Sequence, residues 1–133
     1  MSKGGALEEI DGTEWPGAGA EPSAAARIVA ERVYRAREDR VRHFGPDLFA
    51  DPAWDMLLDM FICQGRRALS VTAATTGARV AHATAMRYLK LLVERGLVER
   101  TRDASDARRT HVRLTPLGVA SMESVLVRFE RSR

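Results

Sequence analysis

Four stretches of the chain repeat apolar residues every three or four positions, and one alternates them at every second position. The first, SAAARIVAERVYRAREDRVRHF, opens on Ser23, a favoured N-cap residue, and continues without Gly or Pro until Gly45-Pro46. Ala26, Val29, Ala30, Val33, Ala36, Val41 and Phe44 form a narrow stripe and leave Arg27, Arg35 and Arg42 outside, so the pattern predicts an amphipathic helix in need of a partner. Asp51-Pro52 places a cap before a proline at the first helical position and predicts a second helix, PAWDMLLDMFICQG, ended by Gly65. Its residues Trp54, Leu57, Leu58, Phe61 and Ile62 make one apolar face, and Met56, Met60 and Cys63 make another. Only Asp55, Asp59 and Gln64 are left for water, so burial on more than one side is expected.

Ser70 is placed to cap a short helix, VTAATT, that halts at Gly77. The next segment, ARVAHATAMRYLKLLVERG, predicts a helix from about Val80 to Arg95 with Gly96 as terminator, its inner face formed by Val80, Ala85, Tyr88, Leu89 and Leu92. Two helices joined by a tight glycine-containing turn form a helix-turn-helix. Downstream, LVERT and RTHVRLT are short β-type runs separated by the turn-rich RDASDA, and in the second run Val112 and Leu114 alternate with His111 and Arg113; together they predict a hairpin. Thr115-Pro116 repeats the cap-then-proline device, with Leu114 and Val119 set as a hydrophobic staple. In the closing helix Val119, Met122, Leu126 and Phe129 form a seam too short to stand alone, which must pack on the first helix of the same or a second chain.

Composition changes this picture in two places. Residues 1–22 hold five Gly and two Pro without sustained periodicity and are expected to be a disordered acidic tail, leaving 23–133 as one domain. Residues 1–23 carry Glu8, Glu9, Asp11, Glu14 and Glu21 against Lys3 alone, a net −4, so the whole-chain charge of +3 leaves +7 on the rest. A basic domain gathers polyanions, nucleic acid among them. The leader is itself a candidate competitor for the basic face.

Other chemistry is poorly supported. Cys63 is the single cysteine, which excludes an intramolecular disulfide and a cysteine-built metal site from this chain alone; in its apolar helix it reads as a buried structural thiol in a reducing compartment. Met56 and Met60 read as core or dimer packing. His43, His82 and His111 are scattered and read as surface or recognition residues, and there is no His-x-x-x-His, Gly-rich phosphate loop or nucleophile elbow. No enzyme, cofactor or metal is expected. No apolar run approaches bilayer length, and MSKGGALEEIDGTEW lacks a secretory pattern, so a cytoplasmic location without membrane contact is expected.

The order helix, helix-turn-helix, hairpin, helix is that of a winged helix-turn-helix. The segment DARRTHVRLTPLG resembles the Asp-x-Arg-x-x-x-Val-x-Leu-Thr-x-x-Gly wing pattern of the MarR family of bacterial transcription regulators, with Asp106, Arg108, Val112, Leu114, Thr115 and Gly118 in register. VAHATAMRYLKLLVERGLV is similar to that family's recognition helix and its exit, through Thr84, Arg87, Leu92, Gly96, Leu97 and Val98. The family's usual glycine before the recognition helix falls at Arg79, and both terminal arms are short for the family.

The resemblance implies a mainly α fold with a small β-hairpin, a recognition helix at about 80–95, a wing at about 97–114 and N- and C-terminal dimerisation helices. It further implies binding of double-stranded DNA as a homodimer, with a cleft for a small-molecule effector between arms and DNA-binding lobes. The early, outward residues of the recognition helix, His82, Ala83, Thr84 and Arg87, would enter the major groove, Arg87 towards guanine, Thr84 towards a base or phosphate and Ala83 towards a thymine methyl, with Lys90 behind them. Arg108 and Arg109 at the wing tip would reach the minor groove, Asp106 orienting the Arg108 guanidinium; Arg102 and Arg113 would meet phosphate. From Arg79 to Arg113 nine basic residues face four acids. The alternative is a winged helix that serves as a protein-interaction adaptor without direct DNA binding.

Overall fold

The computed structural model describes residues 21–131. Its elements are α1 (Ala24–Phe44), α2 (Pro52–Cys63), β1 (Leu69–Ser70), α3 (Val71–Thr76), α4 (His82–Glu94), β2 (Val98–Arg102), β3 (Thr110–Leu114) and α5 (Pro116–Arg131). The expectation of a disordered tail falls on residues outside those described, apart from Glu21 and Pro22, which are coil.

Local capping sets most boundaries. Ser23 Oγ accepts from the Ala26 N–H at 3.1 Å and Ser70 Oγ from the Ala73 N–H at 3.0 Å, so both helices start on a satisfied amide. Thr115 Oγ1 accepts from the Gly118 N–H at 3.0 Å and donates to the Gly96 carbonyl at 2.6 Å, which ties the start of α5 to the end of α4. Asp51 departs from expectation: its side chain makes no capping bond, and Pro52 at the first turn supplies the start of α2 by its fixed φ.

The sheet has three strands in the order β1-β3-β2, all antiparallel, where the pattern predicted a two-stranded hairpin. The extra strand is two residues long, Leu69 opposite Val112 and Ser70 opposite His111. Two residues are too few to show a period, so only the tertiary pairing reveals them.

One core joins all five helices to the sheet, through Met56, Leu58, Met60 and Phe61 of α2, Ala85 and Leu89 of α4, Val98 and Leu114 of the sheet, and Val119, Met122 and Leu126 of α5. The seam of α5 is thus consumed within its own chain; Phe129 remains 44% exposed and stacks on Trp54 at 6.2 Å. Gly118 answers to packing: a Cβ there would collide with the Leu97 carbonyl oxygen, so the helix could not sit so close to the sheet.

Two residues of α2 and its C-cap that the pattern left for water are not wet. Asp55 is buried against Arg37, Gln64 is buried against the Leu114 backbone, and Asp59 is half-buried. Gln64 Nε2 donates to the Leu114 carbonyl and its Oε1 accepts from the Leu114 N–H, both at 3.1 Å, so a side chain completes the inner edge of the sheet. Arg27 of α1 is also buried, its Nη1 donating to the carbonyls of Ile62 at 2.8 Å and Gln64 at 2.7 Å. These carbonyls belong to the unsatisfied C-terminal turn of α2, and a guanidinium is the donor that can serve two at once.

Candidate nucleic-acid interface

Helix α4 begins at His82 after Ala81, an N-cap residue that provides no side-chain bond, and is followed by Gly96, which turns the chain through φ +75° into β2. Its amphipathicity divides the residues cleanly: Ala85, Leu89 and Leu92 are buried, Tyr88 is half-buried, and His82, Ala83, Arg87 and Lys90 are exposed. Thr84 is partly exposed at the margin. Val80 lies before the helix rather than in it. The Arg87 guanidinium lies 4.9 Å over the Tyr88 ring, a resting place that leaves its exposed donors free to be drawn outward.

The turn before α4 is where this chain departs from its resemblance. Arg79 occupies the position of the family's usual glycine and adopts φ +63°, a left-handed conformation that costs a Cβ-bearing residue about 1–2 kcal/mol. Its guanidinium turns inward, 17% exposed, to lie 3.6 Å from Glu38, 3.8 Å from Asp55 and 5.2 Å over the Tyr34 ring. Asp55 also holds Arg37 in a two-pronged pair, at 2.5 and 3.2 Å, and this hydrogen bond raises the Arg37 guanidinium above its ordinary pKa. Arg79 therefore leaves the set of cations available to an outside partner, a correction to the sequence count.

On the hairpin, Arg102, Arg108 and Arg109 are exposed. Asp106 Oδ1 accepts from the Arg108 N–H at 3.1 Å and from Arg108 Nε at 3.2 Å, and Oδ2 faces Nη2 at 3.4 Å. Arg108 holds the Asp106 carboxyl below the usual carboxylate range, yet its own side chain remains 91% exposed. Arg113 behaves differently: half-buried, it sits 3.4 Å from its cross-strand neighbour Glu99, and burial draws its guanidinium below the ordinary value while Glu99 opposes. His111, expected among surface or recognition residues, is buried at the root of the wing, with Nε2 2.9 Å from Asp103 Oδ2. The alternation of β3 puts His111 on the face opposite Val112, yet both are buried, and Asp103 of the preceding loop is bonded to the His111 ring.

Cys63 is buried, and desolvation followed by the Asp59 carboxylate pushes its thiol up to about 11. Between α1, α2 and α5 lies an open cleft of about 510 Å³, walled by Val29, Val33, Ala36, Trp54 and Phe129 with Arg32 and Arg40 at its rim. Among the described residues no cluster of His, Cys, Asp or Glu is suited to a metal, and no helix is long and apolar enough to cross a membrane.

Residues 60–109 match the model of the MarR family. No curated protein matches the chain significantly. Of solved structures, the chain is similar to S. aureus MepR in its DNA-binding conformation, at 19% identity over 80% of this chain and 74% of that one, TM-score 0.56. A mutant of S. aureus MepR aligns at 19% identity over 80% and 77%, TM-score 0.53. MepR bound to ethidium bromide aligns at 17% over 80% and 74%, TM-score 0.50. These likenesses show a shared fold.

Proposed function

We propose that this chain, a MarR-like winged helix-turn-helix protein, is a sequence-specific double-stranded DNA-binding regulator of bacterial transcription. The observation that carries the reading is the division of α4 and the wing into a sealed inner face and an exposed cationic outer one. His82, Ala83, Arg87 and Lys90 are exposed above Ala85, Leu89 and Leu92, and Arg102, Arg108 and Arg109 are exposed on the hairpin that packs against the same helix. In this reading Arg87 leaves Tyr88 for a guanine edge, with Thr84 and Ala83 beside it in the major groove. The wing lays Arg108 and Arg109 into the minor groove with Asp106 steadying the fork, and Arg102 meets phosphate. Arg113, held to Glu99, contributes to the field more than to contact.

Dimerisation follows through α1 and α5, where Ile28, Val125 and Val127 remain 56%, 41% and 46% exposed after the chain has closed its own core. The cleft beside Trp54 is the place for an effector. The location is cytoplasmic.

Fluorescence anisotropy with a random-sequence duplex tests the reading. Binding should weaken with salt along a log–log slope of about −0.9 per phosphate neutralised. No binding at low salt would favour the protein-interaction adaptor instead.

A further inference from the structure

We infer that the buried Asp103–His111 pair is a positioning device that holds the wing tip in the conformation that presents Arg108 and Arg109; the inference rests on the DNA-binding reading above. The tip has no apolar packing of its own: residues 104, 105 and 107–109 are exposed, so polar bonds must define its shape. Those bonds converge on Asp103. Its Oδ2 faces His111 Nε2 at 2.9 Å, its Oδ1 accepts from both the Ser105 N–H and the Ser105 hydroxyl at 2.8 Å, and its own N–H donates to the Arg109 carbonyl at 2.8 Å. Arg109 N–H in turn donates to the Asp106 carbonyl at 2.9 Å, closing the loop from its far side.

Both members are buried, Asp103 at 6% and His111 at 5% exposure, in a loop otherwise open to solvent. His111 is fixed by the middle strand of the sheet, opposite Thr101 of β2 and Ser70 of β1, so the anchor is the most rigid part of the hairpin. The bond to the carboxylate makes Nε2 the protonated nitrogen, while Nδ1 is buried without a hydrogen-bond partner. A polar group kept inside at that cost must do something the local chain needs. Here it removes loop freedom before binding, so the ordering entropy of two long arginines on a mobile tip is not charged against the complex.

The test combines the tip and its anchor in the full-length chain, with a random-sequence duplex as probe. Asp103→Ala should lower affinity about tenfold, because the tip must then be ordered on binding, and should lower the salt slope by about one unit as a tip arginine leaves the minor groove and releases fewer counterions. Arg108→Ala, which weakens the parent, should add little in the Asp103→Ala background. Amide exchange at Ser105 and Arg109 should accelerate without DNA present. Because Asp103→Ala removes a buried group, the exposed Ser105→Ala is the second variant: it deletes one hydroxyl donor and should give a smaller loss of the same kind, about two- to threefold.

Parent affinity and slope in folded Asp103→Ala, or full additivity with Arg108→Ala, overturns the positioning role alone. A parent that binds no duplex overturns it together with the DNA-binding reading.

Discussion

Arg79 lies in the turn before α4 and Arg108 in the loop between β2 and β3, and in the structure each faces an aspartate. In the structure Arg79 is folded under the helix-turn-helix turn, 17% exposed, between Glu38 and Asp55, while Arg108 stands 91% exposed at the wing tip with Asp106 along its fork. The first pair joins α1, α2 and the turn into α4; the second joins a loop only to itself. The contrast teaches that a cation counts toward an external partner only after the fold has declined to bury it, and that the same two residue types serve opposite ends according to how much water is left around them.

The largest expected consequence is at Asp55. Asp55→Ala takes the carboxylate from the buried Arg37 and leaves Arg79 only Glu38, and should cost about 3–5 kcal/mol of stability in urea denaturation, as loss of one partner of a buried pair does. Arg108→Ala should reverse the pattern: an unfolding midpoint within experimental error of the parent, and a loss of about 1–3 kcal/mol in duplex binding by anisotropy. Arg87→Ala should cost a similar amount but relax the choice of sequence in a selection experiment.

Arg79→Gly and Arg79→Ala sharpen the comparison at the backbone. Both delete the guanidinium, but only glycine tolerates φ +63° freely, so the glycine variant should be the more stable of the two by about 1 kcal/mol. Equal stabilities would mean that the left-handed turn stores no strain.

The smallest effect is a titration. The Arg108 hydrogen bond lowers the Asp106 carboxyl pKa below its unfolded value of about 3.9. Its contribution to stability is therefore complete above that value and is lost as pH falls through the lower, folded one. In an NMR pH titration Asp106 should protonate at lower pH than an ordinary aspartate, and Arg108→Ala should move it back up with no change of fold.

Much of the architecture was legible because it is written in short-range chemistry. Ser70 and Ser23 cap helices that start one residue later, Thr115-Pro116 starts α5, and the inner residues Ala85, Leu89 and Leu92 are buried as their spacing requires. Of the candidate interface, the exposure of Arg87, Lys90, Arg102, Arg108 and Arg109 could be read from the faces they occupy. What could not be read was burial on the polar face. Arg27, Asp55 and Gln64 obey their helical period, but the residues that cover them come from other elements. His111 alternates with Val112 along β3, yet it too is buried, with Asp103 bonded to its Nε2.

By itself the sequence determined the order of the five helices and the hairpin, most of their caps, the apolar stripe of each that turns inward, and that a basic segment surrounds the helix-turn-helix and its wing. These follow from backbone torsions, capping bonds and periodicities that span a few residues. Only the tertiary structure decided which charges remain in water, because desolvation depends on partners far away in the chain: Asp55 on Arg37, eighteen positions apart, and Gln64 on Leu114, fifty apart. Those separations carry no local pattern, and they are what turned Arg79 into a strut and left Arg108 in the open.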